Sequence, residues 1–169
     1  LEYLTPMDYY SDTILVTSNS KDLSLAGERI GHMAISPKCQ CREELQEAVV
    51  FCNRILGFVN ANALMQRVVA RLVGKSVDVS IYERRRDLLS EALAEMGYEF
   101  HRPEGAFYLF PKAPGGDDGA FARRLLEEMI IAVPGTGFGR SGHFRLSYAV
   151  PETTIERSLA GFKRAIDGC

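Results

Sequence analysis

Short apolar runs rich in β-branched residues alternate along this chain with longer segments in which apolar residues recur every three or four positions. The first pattern is typical of strands and the second of amphipathic helices, so this alternation strongly constrains the fold. It predicts strands over residues 13–17, 29–35, 98–101, 106–110, 130–133 and 144–149. It predicts helices over residues 42–56, 61–72, 77–96, 120–129 and 154–166. Interleaved strands and helices place the chain in the α/β fold class.

The charge balance argues against two classes of partner. The 169 residues include 20 Lys and Arg against 22 Asp and Glu, a net charge of −2, whereas nucleic-acid binding favours a strongly basic surface. No apolar run approaches the roughly 20 residues that span a bilayer, and the first residues lack a basic region followed by an apolar stretch. We therefore expect no nucleic acid partner, no membrane anchor and no signal peptide, and a small molecule as the natural ligand.

The cysteines and histidines predict no metal site. Among the four cysteines, Cys39 and Cys41 alone are clustered, and their spacing is neither the C-x-x-C of redox motifs nor that of a paired zinc knuckle. Free thiols in a reducing cytoplasm are the simplest interpretation, with a disulfide or a metal role as the alternative. His32, His101 and His143 are scattered and form no H-E-x-x-H or similar motif.

The segment Ser18–Gly31 carries the densest chemical information. It places Lys21 in a loop between two predicted strands, where its amine is reachable and can condense with an aldehyde to form a Schiff base. The hydroxyls of Ser18 and Ser20 and the guanidinium of Arg29 are groups that collect around a phosphate. A phosphorylated aldehyde would suit this set of groups, and the alternative is an ordinary surface lysine with a structural arginine.

The whole segment resembles the Schiff-base signature of the class I and II pyridoxal-phosphate aminotransferases, which is S-x-S-K followed by G-x-R-[IV]-G, with the arginine eight residues after the lysine. The resemblance implies that Lys21 holds pyridoxal 5′-phosphate as a Schiff base and later moves the proton of the substrate Cα. It also implies that Ser18 and Arg29 hold the cofactor phosphate and that Ser20 assists them.

Three further stretches resemble the same family. Tyr82–Asp87 resembles the Y-x-x-R-R-D stretch of its long interdomain helix, and Gly105–Tyr108 resembles its G-[AG]-F-[YF] strand. Val133–Gly139 contains G-x-G-x-G, but a strand rather than a helix is predicted after it, so we reject a nucleotide loop. It resembles instead the family's P-G-x-x-F-G loop, which leads to the strand with the substrate-binding arginine. Arg145 would then bind the amino acid α-carboxylate through a bidentate pair, and the alternative is an arginine in a surface ion pair.

The resemblance also implies a domain organisation. Residues 1–75 correspond to the C-terminal part of the large cofactor-binding domain, residues 76–97 to the connecting helix, and residues 98–169 to a small C-terminal α+β domain. The family's aspartate that pairs with the pyridine nitrogen lies further ahead of the lysine than Leu1 does. We therefore expect this chain to be the C-terminal portion of an aminotransferase.

The activity that the resemblance implies is transfer of an amino group from an amino acid to a 2-oxo acid by a cytoplasmic homodimer. Two alternatives remain open. One is another pyridoxal-phosphate reaction on the same scaffold, such as β-elimination or decarboxylation. The other is a non-catalytic chain that folds but binds no cofactor, which the absence of the upstream aspartate favours. The identity of the amino acid is also open.

Overall fold

The chain divides into two compact units, the first ending at Val77 and the second beginning at Asp78. The structure, a computed structural model, describes residues 4–169. Each unit has its own antiparallel sheet and its own helices, so the predicted mixture of strands and helices is confirmed. The assignment of residues 1–75, 76–97 and 98–169 to a large domain, a connecting helix and a small domain stays a prediction.

The first unit is built on a pair of short antiparallel strands. Its elements are a 3-10 helix at Pro6–Asp8, strand β1 at Ile14–Val16, helix α1 at Asn19–Asp22, a 3-10 helix at Ala26–Glu28, strand β2 at Met33–Ile35, helix α2 at Arg42–Ile55 and helix α3 at Ala63–Arg71. Leu15 of β1 lies opposite Ala34 of β2. Among its described residues, the buried apolar side chains are those of Ile30 and Cys39. A two-stranded sheet with so little buried apolar surface is marginal by itself.

The second unit combines a three-stranded antiparallel sheet with three helices. Its elements are helix α4 at Val79–Glu95, strand β3 at Tyr108–Leu109, helix α5 at Asp118–Glu127, strand β4 at Val133–Pro134, a 3-10 helix at Gly135–Phe138, strand β5 at Phe144–Ser147 and helix α6 at Glu152–Asp167. The strand order is β3-β5-β4, which makes β5 the central strand. Helix α6 packs against both α4 and α5.

The hydrophobic core of the second unit orients the central strand. Leu93 of α4, Leu125 of α5 and Phe144 of β5 are fully buried, and burial of each such side chain contributes about 1.5–3 kcal/mol. Leu146 is buried with Phe144, whereas Arg145 between them is only half-buried. Because side chains alternate across a strand, Arg145 lies on the face of the sheet that points away from this core.

The five predicted helices are confirmed, with ends that differ by no more than two residues from the prediction. Helix periodicity and terminators account for this agreement. Gly97, just past α4, has a φ of +91° that favours glycine, and the Tyr98 N–H donates to the Leu93 carbonyl at 3.0 Å to close the helix end. No helix in residues 4–169 combines the length and the apolar character needed to cross a membrane.

The strand predicted over residues 98–101 is wrong within the described part of the chain. Its apolar pattern reflects core packing instead. Tyr98 is buried and its hydroxyl donates to the Phe162 carbonyl at 2.9 Å, while the Lys112 N–H donates to the Glu99 carbonyl at 2.8 Å without extending into a ladder. The apolar pattern therefore reflects the burial of Tyr98, but it does not show whether a neighbouring strand pairs with this segment.

The other five predicted strands are all shorter than expected, and the backbone explains the difference for two of them. The strand over 130–133 is reduced to Val133–Pro134, because the Ile130 N–H donates to the Leu125 carbonyl at 2.9 Å and so closes the end of α5. The strand over 29–35 is reduced to Met33–Ile35. In that case a left-handed residue, Arg29 with a φ of +51°, interrupts the extended backbone.

Candidate active site

Lys21 lies in the single-turn helix α1 rather than in the predicted loop, which corrects the prediction. Ser18 caps this turn. Its Oγ accepts the Ser20 N–H at 3.3 Å and donates to the Ser20 Oγ at 2.8 Å. Serine is a preferred N-cap because its hydroxyl satisfies a free backbone donor at the start of a helix. The Ser18 hydroxyl, which the motif assigns to a phosphate, therefore also caps the helical turn that carries the exposed Lys21.

Backbone pairing continues beyond β1 and β2 and closes the motif at its base. The Thr17 N–H donates to the His32 carbonyl at 2.8 Å, and the Asn19 N–H donates to the Ile30 carbonyl at 3.0 Å. These bonds bring together the two ends of residues 20–29, the segment that contains both the lysine and the arginine of the motif. Groups that are distant in a fully extended chain are thereby held on one closed loop.

Asn19 anchors this loop from inside, and sequence reasoning missed it. The residue is 8% exposed. Its carbonyl accepts the Leu25 N–H at 3.3 Å, and its Nδ2 donates to the Asp22 Oδ2 at 3.3 Å. The available signal was an asparagine between two serines at a helix start, where its short polar side chain can bond the local backbone.

Gly31 is required where the two ends of the loop approach each other. A Cβ at this position would lie 2.2 Å from the Thr17 carbonyl oxygen and 3.0 Å from the Ser18 Cα. We expect Gly31→Ala to destabilise the full-length protein by about 1–3 kcal/mol, because the backbone must move to relieve the overlap. Thermal unfolding measures the effect. Gly27→Ala is the matched control, since nothing lies within 4 Å of a Cβ there, and equal melting temperatures for the two variants would contradict the expectation.

Arg29 occupies a strained backbone position on the same loop. Its φ of +51° costs about 1–2 kcal/mol for a residue with a Cβ, and such strain persists where the surrounding structure fixes it, often at functional sites. The exposed guanidinium donates to the Ala26 carbonyl at 2.9 Å. Within residues 4–169 the structure joins Ser18 to Ser20 by a hydrogen bond but joins neither serine to Arg29.

A cleft of about 1010 Å³ opens beside the arginine end of the loop, within the first unit. Asn19, Arg29 and Gly31 line one side, and residues 57–61 line another. Ser18, Ser20 and Lys21 are not part of its lining. The cleft therefore gives the Arg29 side of the loop room for a bound group.

The chemistry of the loop fits pyridoxal phosphate. Ser18, Lys21 and Arg29 are exposed and Ser20 is half-buried. Hydroxyls and a guanidinium donate hydrogen bonds to phosphate oxygens, and an accessible amine condenses with an aldehyde. These groups are the donor set that a phosphorylated aldehyde needs. They are the lysine and the arginine of one closed loop and two hydroxyls in direct contact with each other.

Side chains that commonly bind metal ions are not clustered in the described part of the chain. Among residues 4–169, no group of three or more His, Cys, Asp or Glu side chains is placed to hold a metal ion. The four cysteines are free, and the Sγ atoms of Cys39 and Cys41 lie 3.7 Å apart.

Arg145 is held between two aromatic rings on the outer face of the second unit's sheet. Its Cζ lies 4.5 Å from the centre of the Tyr108 ring and 4.2 Å from the centre of the Phe138 ring. Both rings contact the centre of the planar guanidinium, whose N–H donors lie on its edge. No carboxylate in the described part of the chain pairs with it. A guanidinium oriented in this way can take an external carboxylate by a bidentate pair.

Asp118 is a buried carboxylate in the first turn of helix α5. Its Oδ2 accepts the Thr136 N–H at 2.8 Å and the Thr136 hydroxyl at 2.7 Å, and its Oδ1 accepts the Gly142 N–H at 3.2 Å. These hydrogen bonds, first those from Thr136 and then that from Gly142, lower the pKa of Asp118 to about 2.

The lowered pKa of Asp118 predicts an acid-sensitive contribution to stability. An unfolded aspartate has a pKa of about 3.9, so the ionised form stabilises the fold at neutral pH, and this contribution is lost as pH falls from about 4 through about 2. We expect the melting temperature of the unaltered full-length protein to fall as the pH is lowered from about 5 to about 2. The melting temperature of Asp118→Asn should fall less steeply over the same range. Asp117→Asn is the control, and identical slopes for Asp118→Asn and the unaltered protein would contradict the assignment.

The sequence model of the family described as "Aminotransferase class I and II" matches residues 4–162. The chain belongs to this family. Its Lys21 and Arg145 segments are therefore parts of a class I and II aminotransferase sequence.

Several curated relatives of this chain are named for aspartate. It is similar to the probable aspartate aminotransferase of Methanocaldococcus jannaschii, with 31% identity over 98% of the chain and 46% of the relative. It is 36% identical to the aspartate aminotransferase of Thermotoga maritima, over 91% of the chain and 39% of the relative. It is 34% identical to the aspartate/prephenate aminotransferase of Thermus thermophilus, over 91% and 41%. The chain thus spans less than half the length of these relatives.

Solved aminotransferase structures share the fold of this chain. An amino transferase from Eubacterium rectale matches with a TM-score of 0.90 and 38% identity, over 96% of this chain and 41% of the other. The aspartate aminotransferase of Thermus thermophilus with maleate matches with a TM-score of 0.79 and 31% identity, over 97% of this chain and 44% of the other.

Proposed function

We propose that the full-length protein transfers an amino group from an amino acid to a 2-oxo acid with pyridoxal 5′-phosphate as its cofactor. The observation that carries the proposal is the loop of residues 20–29, closed by the hydrogen bond from the Asn19 N–H to the Ile30 carbonyl. It carries an accessible amine, a strained arginine and the Ser20 hydroxyl, which contacts the Ser18 hydroxyl just ahead of the loop. Family membership supports the same activity.

The residues of the first unit bind the cofactor in this proposal. When bound, pyridoxal phosphate supplies an aldehyde that condenses with amines and a ring that withdraws electrons from the amino acid Cα. The Nζ of Lys21 would hold the cofactor through its aldehyde group and would move the proton of the amino acid Cα. The hydroxyl of Ser18 and the guanidinium of Arg29 bind the phosphate, and Ser20 assists through its contact with Ser18.

The second unit supplies the substrate-binding arginine. Arg145 binds the α-carboxylate of the amino acid, and later that of the 2-oxo acid, through the N–H donors on its edge. The stacking of Tyr108 and Phe138 supports this role, because it restricts the guanidinium plane before the substrate arrives. A flexible arginine would lose that freedom on binding and would bind more weakly.

The substrate, the assembly and the compartment are parts of the same proposal. The names of the relatives favour aspartate as the first amino donor to test. The resemblance to the family supports a homodimer. Four free cysteines suit the reducing cytoplasm.

The products of a single half-reaction test the proposed function. The full-length protein is loaded with pyridoxal phosphate and mixed with aspartate, and then with other amino acids, without any 2-oxo acid. Transamination releases the matching 2-oxo acid and leaves the cofactor in its pyridoxamine form. Release of ammonia or carbon dioxide with the cofactor unchanged would favour a lyase on the same scaffold. Failure to retain the cofactor would favour a non-catalytic protein.

A further inference from the structure

The Phe138 ring, which stacks on Arg145, belongs to a glycine-rich loop and is not part of the hydrophobic core. Phe138 is 47% exposed, so burial alone does not fix its position. Its other ring contact is with Phe110, at 6.3 Å between the ring centres. Where the Phe138 ring lies is therefore set mainly by the backbone of residues 135–142 that carries it.

This loop is closed on itself by backbone contacts. The Gly135 N–H donates to the His143 carbonyl at 2.7 Å, and the Arg140 N–H donates to the Gly135 carbonyl at 3.0 Å. A Cβ at Gly135 would lie 2.3 Å from the Arg140 carbonyl oxygen, so the chain crosses itself closely there. The loop is therefore held compactly by its own backbone, and the Ala113 N–H attaches one end of it by donating to the Gly142 carbonyl at 2.9 Å.

The Asp118 side chain attaches the loop to helix α5. One carboxylate oxygen binds both the N–H and the hydroxyl of Thr136, and the other binds the N–H of Gly142. Thr136 and Gly142 lie at the two ends of the loop, on either side of Phe138. Both oxygens of a buried carboxylate on the well-packed helix α5 thus hold the loop at two points.

The neighbouring aspartate does something different. Asp117 caps α5, since its Oδ1 accepts the Ala120 N–H at 2.8 Å. Asp117 therefore caps the helix, and the carboxylate of Asp118 is available to bind the loop. The two adjacent aspartates provide a matched pair for experiment, because they share a charge and a helix end but not a partner.

We propose that Asp118 is a positioning residue for Arg145: it holds the loop that lays Phe138 against the guanidinium, and so orients the donors that bind the substrate carboxylate. The inference rests on the proposed role of Arg145. Without the attachment, Phe138 leaves the guanidinium face and Arg145 regains side-chain freedom that carboxylate binding must remove again.

The test is the half-reaction of the full-length holoenzyme, measured over a range of amino donor concentrations. Asp118→Asn keeps the shape of the side chain but turns one acceptor oxygen into an NH₂ that faces an N–H donor. We expect the half-saturating concentration to rise about three- to tenfold, the cost of immobilising one side chain, while the maximal rate changes less than about twofold. Asp117→Asn should leave the half-saturating concentration unchanged, even where the cap is lost.

Thr136 provides a second route to the same result. Thr136→Val removes the hydroxyl donor and should raise the half-saturating concentration, whereas Thr136→Ser keeps the hydroxyl and should restore it. The double variant Asp118→Asn/Thr136→Val should be no worse than the more affected single variant, because both changes break one link. A rise that adds across the two substitutions would overturn the proposal.

Arg145→Gln separates the two possible failures. If Arg145→Gln leaves the half-saturating concentration unchanged, the proposed role of the arginine fails. If Arg145→Gln raises it but Asp118→Asn and Thr136→Val only lower the melting temperature, the carboxylate of Asp118 is merely structural and the positioning proposal alone is overturned.

Discussion

Replacement of Lys21 by alanine is expected to abolish covalent retention of pyridoxal phosphate by the full-length protein and to slow amino transfer by about 100- to 10,000-fold or more. Alanine keeps the helical turn, because the cap of α1 comes from the Ser18 hydroxyl and the Ser20 N–H, and neither depends on the lysine side chain. Absorbance of the bound cofactor after extensive dialysis measures retention, and the half-reaction measures the rate.

Lys38→Ala is the control for this substitution. Lys38 is an exposed lysine of the same unit, and it lies outside the closed loop of residues 20–29. We expect it to retain the cofactor fully. A protein that keeps a borohydride-reducible adduct after Lys21→Ala, or that loses the cofactor equally in both variants, would not have its Schiff base on Lys21.

Arg145→Lys is expected to raise the half-saturating concentration of the amino acid by about 10- to 100-fold. Lysine keeps the positive charge but cannot supply two parallel N–H donors, and a hydrogen bond to a charged group contributes about 1.5–3 kcal/mol. It also loses the planar contact with the rings of Tyr108 and Phe138. Steady-state and half-reaction kinetics of the full-length protein provide the measurement.

Arg157→Lys is the matched control for Arg145→Lys, because Arg157 is an exposed arginine on helix α6 of the same unit. We expect its kinetics to stay within about twofold of the unaltered protein, as for most surface substitutions. Unchanged kinetics for Arg145→Lys as well would remove Arg145 from carboxylate binding.

Local patterns predicted the parts of the fold that depend on local physics. Helix periodicity predicted α4, and a β-branched run predicted β1. The strand expected at residues 98–101 failed because an apolar run shows that side chains are buried but not which strand pairs with the backbone. The spacing of Lys21 and Arg29 predicted that both lie in one connecting segment. It did not predict the helical turn at Lys21, which the Ser18 cap stabilises.

The rest of the candidate site depends on contacts between distant residues. Asp118 bonds Thr136, 18 positions later, and no local pattern marks an aspartate beside a helix cap as the anchor of a remote loop. The Tyr108 ring reaches Arg145 because β3 and β5 are neighbours, a pairing that only the sheet reveals. The family resemblance pointed to Arg145 as a carboxylate ligand, but it gave no account of what orients the guanidinium.

Borohydride trapping followed by peptide mapping tests the central claim most directly. The full-length protein is incubated with one equivalent of pyridoxal phosphate and reduced with borohydride. Its intact mass is then measured, and the protein is digested for peptide mapping. The proposed function predicts one phosphopyridoxyl group per chain, located on the peptide that contains Lys21. An adduct on a different lysine, or labelling spread over many lysines, would contradict it.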